Sequence, residues 1–192
     1  MKSKRAEIIA ETAITLLAER GMRGLTHRAV DEVAGLPPGS TSNLARTRSA
    51  LLALALERLT ELEVTIFGPI LDMAKDTSKT DALDTAAEMT ARVLWVQLTV
   101  DRRRTIARYE LALEATRRPE LRKIYDEVGV RFRDPTVALL SAVGSPDPVR
   151  HGRQIVAFSE GVMFDAIVGA GAEPTLDDLR LGARELLRGM LA

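Results

Sequence analysis

The chain of 192 residues contains no cysteine, few aromatic residues and no long apolar run. Without cysteine it can form no disulfide, thiolate metal site or cysteine nucleophile. Aromatic residues make up 4% of the sequence, while alanine, leucine, arginine and glutamate are plentiful, and this composition favours helices over sheets. Because no apolar run reaches about 18 residues and charges begin at once, we expect no membrane span, no signal peptide and a cytoplasmic location.

The sequence also lacks an excess of charge of either sign, since 27 basic residues balance 27 acidic ones. With 46% hydrophobic and 28% charged residues, it should form a globular protein with a sizeable core. The charges are unevenly distributed, because residues 1–50 hold eight basic side chains against five acidic ones. This small surplus is compatible with an N-terminal face that meets phosphate.

The residue patterns that usually carry catalysis are missing. The two histidines, His27 and His151, lie far apart in the sequence. The sequence contains no HExxH, GxSxG, glycine-rich phosphate loop or acidic metal cluster. Asp177 and Asp178 are adjacent, but they lie at a predicted helix start, where carboxylates interact favourably with the helix dipole. We therefore expect no enzymatic activity, no cofactor and no metal.

The first quarter of the chain predicts four helices, at about residues 3–20, 27–34, 38–44 and 48–73. Gly21 and Gly35 are natural helix ends, because glycine adopts the left-handed conformation without strain. Thr26 and Thr47 are suitable N-caps, and Pro38 suits a first helical position. The third helix would carry small polar side chains on its outside. Two short helices joined by a tight turn have the outline of a helix-turn-helix, although the periodicity alone favours plain helices of an all-α bundle.

The same stretch resembles the N-terminal signature of TetR-family transcriptional regulators over roughly residues 5 to 55. The spacing from the glycine after the first helix to the paired leucines of the fourth helix matches without a gap. The residues that carry the resemblance are Gly21, Thr26, Val30, Ala34-Gly35-Leu36, Gly39-Ser40 and Leu51-Leu52.

The predicted recognition helix departs from the family pattern. The family usually has an aromatic residue there, often followed by a histidine and a second aromatic, and these positions are taken by Ser42, Asn43 and Ala45. Arg48 replaces the usual lysine at the start of the fourth helix. Loss of the aromatic residue, a tyrosine in the family pattern, removes a common phosphate contact. Arg46 and Arg48 could partly compensate for this loss electrostatically.

The resemblance implies a DNA-binding surface on the second and third helices. The start of the second helix would meet a phosphate, and Asn43 is the best candidate for reading adenine. Arg48 would hold the DNA backbone. The residues implied are Thr26, His27, Arg28, Pro38, Ser40, Thr41, Ser42, Asn43, Arg46 and Arg48. The alternative for each charged residue is a solvated surface side chain, and for Ser42 it is a position without a role.

The rest of the chain predicts a loop at residues 76–81 and five more helices, at about 82–99, 103–116, 119–143, 148–169 and 174–190. Pro119, Pro148 and Pro174 are placed at helix starts, and Pro135 should kink or break its helix. The total is nine helices, as in TetR-like proteins. We expect an all-α fold with a helix-turn-helix domain at residues 1–47 and a ligand-binding and dimerisation domain at residues 48–192, connected by the helix 48–73.

The resemblance further implies that the last two helices pair with those of a second subunit in a four-helix bundle. The alternative is that their apolar residues belong to the core of a single chain. The predicted contact residues are Ile155, Phe158, Val162, Ile167, Leu179, Ala183, Leu186 and Leu187, with Gly152, Ala157, Gly161 and Gly169 permitting close approach.

The helices between the two ends would enclose a pocket for a small molecule. Soft and aromatic side chains suit an apolar or planar effector, although ordinary core is the alternative for each one. Glu110, Glu114 and Asp165 could orient a cationic or polar ligand. The predicted lining is Phe67, Met73, Met89, Trp95, Tyr109, Glu110, Leu113, Tyr125, Phe132, Met163 and Phe164.

The sequence thus predicts a homodimeric repressor that leaves a palindromic double-stranded operator when a small molecule binds. Ligand binding would tilt the helix 48–73 and change the separation of the two recognition helices. The alternative is a small-molecule binding or interaction protein of the same fold whose sequence-specific DNA binding is weakened or lost. The missing recognition-helix aromatics motivate that alternative.

Overall fold

The fold is a set of nine helices within the described part of the chain, as predicted. The computed structural model describes residues 3–72, 82–100 and 102–191, and no strand occurs in these ranges. No helix in them is long and apolar enough to cross a membrane. The helices are α1 (Lys4–Gly24), α2 (His27–Val33), α3 (Ser40–Leu44), α4 (Arg48–Asp72), α5 (Ala82–Leu98), α6 (Arg102–Ala115), α7 (Pro119–Ala142), α8 (Pro148–Ile167) and α9 (Leu176–Leu191).

Hydroxyl side chains fix the start of several helices. The Thr26 hydroxyl oxygen accepts the N–H of Ala29, and that of Thr47 accepts the N–H of Ala50, so both predicted caps are confirmed. The start predicted for α9 at Pro174 is wrong by two residues. Thr175 is the cap there, because its hydroxyl oxygen accepts the N–H of Asp178 at 3.2 Å while the Asp178 carboxylate accepts the N–H of Thr175 at 2.9 Å.

One prediction about a proline is also corrected, and a second is decided in part. Pro38 does not begin α3, which starts two residues later at Ser40, because Gly39 adopts a φ of 86° that a helix cannot contain. Pro135 does not break α7, which runs continuously from Pro119 to Ala142. Pro119 and Pro148 stand at the first positions of α7 and α8, as predicted.

The chain divides into two compact units, whereas the division predicted at residue 48, between DNA binding and ligand binding, stays a prediction. The first unit contains Met1–Glu63 and Arg103–Val128, and the second contains Val64–Arg102 and Gly129–Ala192. The first unit therefore includes most of α6 and the start of α7. The reason is the apolar face of α6, since Ala107 and Leu111 are fully buried in the same core cluster as α1 and α4.

The core of the first unit is built mainly from long aliphatic side chains of α1 and α4. Leu16, Leu17, Leu51 and Leu52 are fully buried in it. α1 is interrupted at Gly21, whose φ of 63° lies in the left-handed region that favours glycine. Gly21 thus breaks the regular helix as predicted, but the helical segment continues to Gly24.

The core of the second unit lies where α5 packs against α8 and α9. Ala86, Ile155, Ala183 and Leu187 are buried there together with Leu140 of α7. α8 passes close to α7 at Gly152, where an added Cβ would stand 3.0 Å from a methyl group of Val137. This residue pair explains why a glycine is needed inside α8: the close approach is within one chain.

Ion pairs connect the outer edges of α5 and α9. The Glu88 carboxylate accepts a hydrogen bond from the Arg180 guanidinium at 2.5 Å, and Arg184 lies 2.8 Å from Asp84. The hydrogen bond from Arg180, assisted by one from Arg92, lowers the pKa of Glu88 against the opposing effect of burial. These contacts hold α9 in register with α5 in addition to the apolar packing between them.

Candidate nucleic-acid interface

α2 and α3 form a helix-turn-helix whose turn depends on two glycines. Gly35 follows α2 with a φ of 63°, and Gly39 precedes α3 with a φ of 86°. Neither glycine would meet another atom if a Cβ were added, so backbone conformation and not space accounts for glycine at both positions. α3 has only five residues, and its orientation therefore depends on contacts with the rest of the unit.

Asp31 of α2 holds the beginning of α3. The residue is 5% exposed, and its carboxylate accepts the N–H of Gly39 at 2.8 Å, the N–H of Thr41 at 2.8 Å and the Thr41 hydroxyl at 2.6 Å. Burial acts to raise the pKa of Asp31, but the hydrogen bonds from Thr41 and Gly39 outweigh it and hold the pKa below its ordinary value. The carboxylate thus acts as a negatively charged cap for α3.

Sequence reasoning missed Asp31, which was counted only as one of the acidic residues of the N-terminal part. The available signal was its place directly after the buried Val30 in a short helix, where an acidic side chain must find hydrogen-bond donors. The identity of those donors was not visible, because Thr41 lies ten residues further along the chain.

His27 holds the other end of α3. Its Nε2 donates a hydrogen bond to the carbonyl oxygen of Ala45 at a distance of 2.6 Å. Ala45 itself is 3% exposed and belongs to the core of the first unit. We infer that this ring nitrogen of His27 supports the fold, whereas the predicted DNA contact of the residue stays a prediction. Ala45 is a core position.

The Arg48 side chain forms hydrogen bonds with backbone carbonyl groups of the protein. Its Nη1 donates to the carbonyl oxygen of Leu25 at 2.6 Å, and its Nη2 donates to the carbonyl oxygen of Met22. The guanidinium thereby fastens the start of α4 to the connection between α1 and α2. We infer from these two bonds that Arg48 supports the fold in place of the DNA-backbone contact that the resemblance implied.

Ser40 and Thr41 do not lie on the outer face of α3 as predicted. Thr41 is fully buried and bonded to Asp31, while Ser40 is 6% exposed and donates its hydroxyl proton to the carbonyl oxygen of Pro37 at 2.6 Å. The Ser40 oxygen also accepts a hydrogen bond from Arg5 at 2.7 Å. Arg5, an exposed residue near the start of α1, is thus a basic group beside α3 that sequence reasoning did not single out.

The remaining residues of α3 and the chain just after it form the exposed surface of the motif. Ser42, Asn43 and Leu44 are exposed, and so is Arg46. Leu44 was not predicted to take part, yet 46% of its surface is accessible. The other predicted DNA-contacting residues that the structure leaves exposed are Thr26, Arg28 and Pro38. We call the exposed set the α3 surface: Ser42, Asn43, Leu44 and Arg46.

The residues predicted for a dimer interface separate into two groups. Four are buried within the single chain and belong to its core or close packing: Ile155, Leu179, Ala183 and Leu187. Three others, Phe158, Val162 and Leu186, are only partly buried, as is Ile167. Larger apolar exposure occurs at residues that were not predicted for the interface, Val168 at 55% and Leu181 at 59%, and at Phe164 at 51%.

The residues predicted for a ligand pocket fall in both units. Tyr109, Glu110, Leu113 and Tyr125 belong to the first unit, whereas Met89, Trp95, Met163 and Phe164 belong to the second. Met89 and Met163 are buried, but Leu113 is 59% exposed and Phe164 is 51% exposed, so these two do not line an enclosed cavity of this chain. Met73 and the side chains of Phe67 and Phe132 lie outside the described residues.

Glu110 has a contact that its predicted role did not include. Its carboxylate accepts the N–H of Met22 at 3.0 Å, directly after the break at Gly21. It therefore accepts a hydrogen bond from a backbone N–H next to the interruption of the helix. Glu114, the second acidic residue considered for orienting a ligand, is partly buried and pairs with Arg118 at 2.5 Å.

A groove of about 460 Å³ lies along α5 and α9 in the second unit and is lined by Asp84, Ala87, Glu88, Asp177, Arg180, Leu181 and Arg184. None of these residues was predicted for a ligand site. Most of its polar lining is already engaged in the ion pairs between the two helices. Among the described residues, no group of three histidine, aspartate or glutamate side chains could hold a metal ion.

Comparisons with known proteins identify the family of the chain. Residues 81–192 match a family model described as Tetracyclin repressor-like, C-terminal domain. A TetR family member from Streptomyces coelicolor A3 is 27% identical, with 99% of each chain covered and a TM-score of 0.73. The multidrug binding protein EbrR complexed with ethidium is 29% identical, with 99% of each chain covered and a TM-score of 0.72.

A transcriptional regulator from Rhodococcus sp. Rha1 has the same fold, with 21% identity, a TM-score of 0.77, and coverage of 97% of this chain and 95% of that one. No curated protein sequence matches the chain significantly.

Proposed function

Because the chain belongs to the TetR family of transcriptional regulators, we propose that it is a repressor that binds a palindromic operator as a homodimer and leaves it when a small molecule binds. The observation that carries the proposal is the α3 surface, presented by a helix whose two ends are held by Asp31 and His27. A helix that is held at both ends and exposes one face after a tight turn is the arrangement that enters a major groove.

The chemistry of the α3 surface suits duplex DNA. The Asn43 amide can form two hydrogen bonds with an adenine edge, and the Ser42 hydroxyl can donate or accept. Arg46 and Arg28 are exposed cations on the same motif and can reach phosphate oxygens, which positions the motif without reading sequence. The exposed N-terminal end of α2 at Thr26 offers backbone N–H groups to a further phosphate.

A second copy of the chain is the proposed partner of α8 and α9. One short α3 surface gives little specificity, whereas two copies about one DNA turn apart match a palindrome. Phe164 and Val168 of the α8 end are more than half exposed. Ala157 and Gly161 are also exposed on α8, and an added Cβ at Gly161 would meet no atom of this chain. Small residues at these places allow a second helix to approach closely.

Phe164→Glu tests this interface. The variant should fold normally, since Phe164 is 51% exposed in the chain, but each dimer would bury two unpaired carboxylates. We expect the dimer dissociation constant to rise roughly a hundredfold or more, measured by analytical ultracentrifugation. Val100→Glu is the matched control, because Val100 is 77% exposed and outside α8 and α9. An unchanged dimer in Phe164→Glu would contradict the proposed interface.

The effector is proposed to be an apolar or planar molecule. EbrR, 29% identical to this chain, is a multidrug binding protein that holds ethidium, and this supports a similar ligand class here. Met89, Trp95 and Met163 are the proposed contacts in the second unit, because they are soft or aromatic and buried or half-buried. Binding of the effector is proposed to tilt α4 and so to change the spacing of the two α3 surfaces, with effector and operator each lowering the affinity for the other.

Selection of duplexes from a random-sequence pool, followed by titration with ethidium, tests the proposed function. The full chain should enrich a palindromic sequence, and ethidium should release that duplex, as followed by fluorescence anisotropy of labelled DNA. Asn43→Ala should relax the preference at one base pair per half-site and weaken binding about fivefold to a hundredfold for each half-site, so that the two losses multiply. If no sequence is enriched, the repressor function is wrong.

A second function is favoured by one specific observation. α3 has five residues, of which three are exposed, and none of these three is aromatic. A small-molecule binding protein of this fold without sequence-specific DNA binding is therefore the second candidate. It would be supported if the chain binds ethidium but shows the same salt-dependent affinity for every duplex.

A further inference from the structure

Leu44 is an exposed apolar side chain on a helix whose other exposed residues are small and polar. It is the last residue of α3, and 46% of its surface is accessible. The neighbouring Ala45 is buried in the core, so an apolar residue at that position is explained by packing. No such explanation covers the exposed half of Leu44.

The backbone that carries Leu44 is held in place from both sides. The N–H of Ala45 donates to the carbonyl oxygen of Thr41 at 2.8 Å, and the carbonyl oxygen of Ala45 accepts the hydrogen bond from His27 at 2.6 Å. Asp31 fixes the opposite end of the same helix. Leu44 is thus presented by a preorganised backbone, which reduces the ordering entropy that a contact would otherwise cost.

The basic residues of the helix-turn-helix and of the start of α1 indicate the kind of partner that this surface meets. Arg46 follows two residues later and is exposed, and Arg28 of α2 is exposed as well. Arg5 lies against the start of α3 through its hydrogen bond to Ser40. Exposed basic residues on the motif that carries a mostly polar helix suit the phosphates of a duplex, as in the proposed function on which this inference rests.

In the major groove of DNA, the 5-methyl group of thymine is the exposed apolar group, and it is the partner that aliphatic side chains contact. We propose that Leu44 is a specificity-determining residue that recognises a thymine methyl group in each half-site. Asn43 would read an adenine beside it, so that two consecutive side chains of α3 together select an A·T-containing step. The exposed apolar surface of Leu44 then becomes buried only when the correct base is present.

Replacement of thymine by deoxyuridine tests this inference, because it removes only the 5-methyl group. In the duplex selected by the wild-type chain, each thymine is replaced in turn, symmetrically in both half-sites. We expect one position at which the wild-type dissociation constant rises roughly tenfold, since each lost methyl contact weakens binding about threefold to fourfold. Leu44→Ala should bind the thymine and deoxyuridine duplexes with equal affinity.

Leu113→Ala is the matched control, because Leu113 is also an exposed leucine of the first unit, at 59%, and lies in α6. It should keep the wild-type loss on deoxyuridine substitution. Circular dichroism and affinity for non-specific DNA establish that Leu44→Ala is folded, since its electrostatic contacts remain. The inference is overturned if the wild-type chain tolerates deoxyuridine at every position, or if Leu44→Ala retains the full loss. Failure to select any duplex would overturn the proposed function and this inference with it.

Discussion

Asp31→Ala is expected to lower the free energy of unfolding of the first unit by about 2–4 kcal/mol and to weaken sequence-specific DNA binding at least about tenfold. The substitution leaves three donors without their acceptor, namely two backbone N–H groups and the Thr41 hydroxyl. α3 is too short to keep its orientation by its own hydrogen bonds. Urea unfolding and anisotropy with the selected duplex measure the two effects.

Glu32→Ala is the matched control, because Glu32 is the neighbouring acidic residue of α2 and is exposed. It should leave the free energy of unfolding within about 0.5 kcal/mol of the wild-type value. A double-mutant cycle of Asp31→Ala with Thr41→Val should show a coupling of about 1–3 kcal/mol, since the two side chains share a hydrogen bond. Equal stability of Asp31→Ala and the wild type would contradict the role assigned to this carboxylate.

The same carboxylate gives the stability a defined pH dependence. The pKa of Asp31 in the folded chain lies below its ordinary value of 3.8, so the native state favours the ionised form more than the unfolded state does. The resulting stabilisation is fully present above the ordinary pKa and is lost as the pH falls through the folded one. The stability difference between wild type and Asp31→Asn should therefore shrink as the pH falls below 3.8.

Arg48→Ala is expected to lower the free energy of unfolding by about 2–3 kcal/mol while leaving the salt dependence of DNA binding unchanged. The guanidinium donates to the carbonyl oxygens of Leu25 and Met22, which lose a charged partner in the variant. Arg48→Lys should recover less than half of this loss, because one ammonium group lacks the planar fork that serves two carbonyls at once. Urea unfolding and the slope of log Kd against log salt concentration are the two measurements.

Arg46→Ala is expected to change the salt dependence of DNA binding and to leave the stability unchanged. Arg46 is exposed, and its loss should leave stability within about 0.5 kcal/mol. If each of two subunits loses one phosphate contact, the salt slope should become shallower by about 1.8. A change of salt slope in Arg48→Ala at wild-type stability would restore the phosphate contact first predicted for Arg48.

The positions of the helices were largely predictable because their signals are local. Apolar spacing, the hydroxyl caps Thr26 and Thr47, and the glycines 21 and 35 act within about one helical turn. The two corrected starts, of α3 and α9, show the limit of such signals. In each case a proline and a better local signal stood within two residues of each other, and the conformation of Gly39 or the cap at Thr175 decided the outcome.

In α8 and α9, the sequence does not distinguish residues that pack within the chain from residues that would face a second subunit, because both kinds are apolar at helical spacing. Ile155 and Leu187 fit an interface between subunits as well as they fit a core. Only packing against α5 and α7 shows that they are core residues, while Phe164 is left half exposed.

The amino-acid sequence by itself determined the all-helical fold, the helix-turn-helix near the N-terminus and the family resemblance, since these follow from periodicity, caps and turn residues. Only the tertiary structure decided which polar residues hold the helix-turn-helix in place and which lie on its exposed surface. His27, Asp31 and Arg48 find their partners 18, 10 and 23 residues away, and no local pattern encodes such pairs. Once they and the buried Thr41 are assigned to the fold, Ser42, Asn43, Leu44 and Arg46 remain to meet DNA.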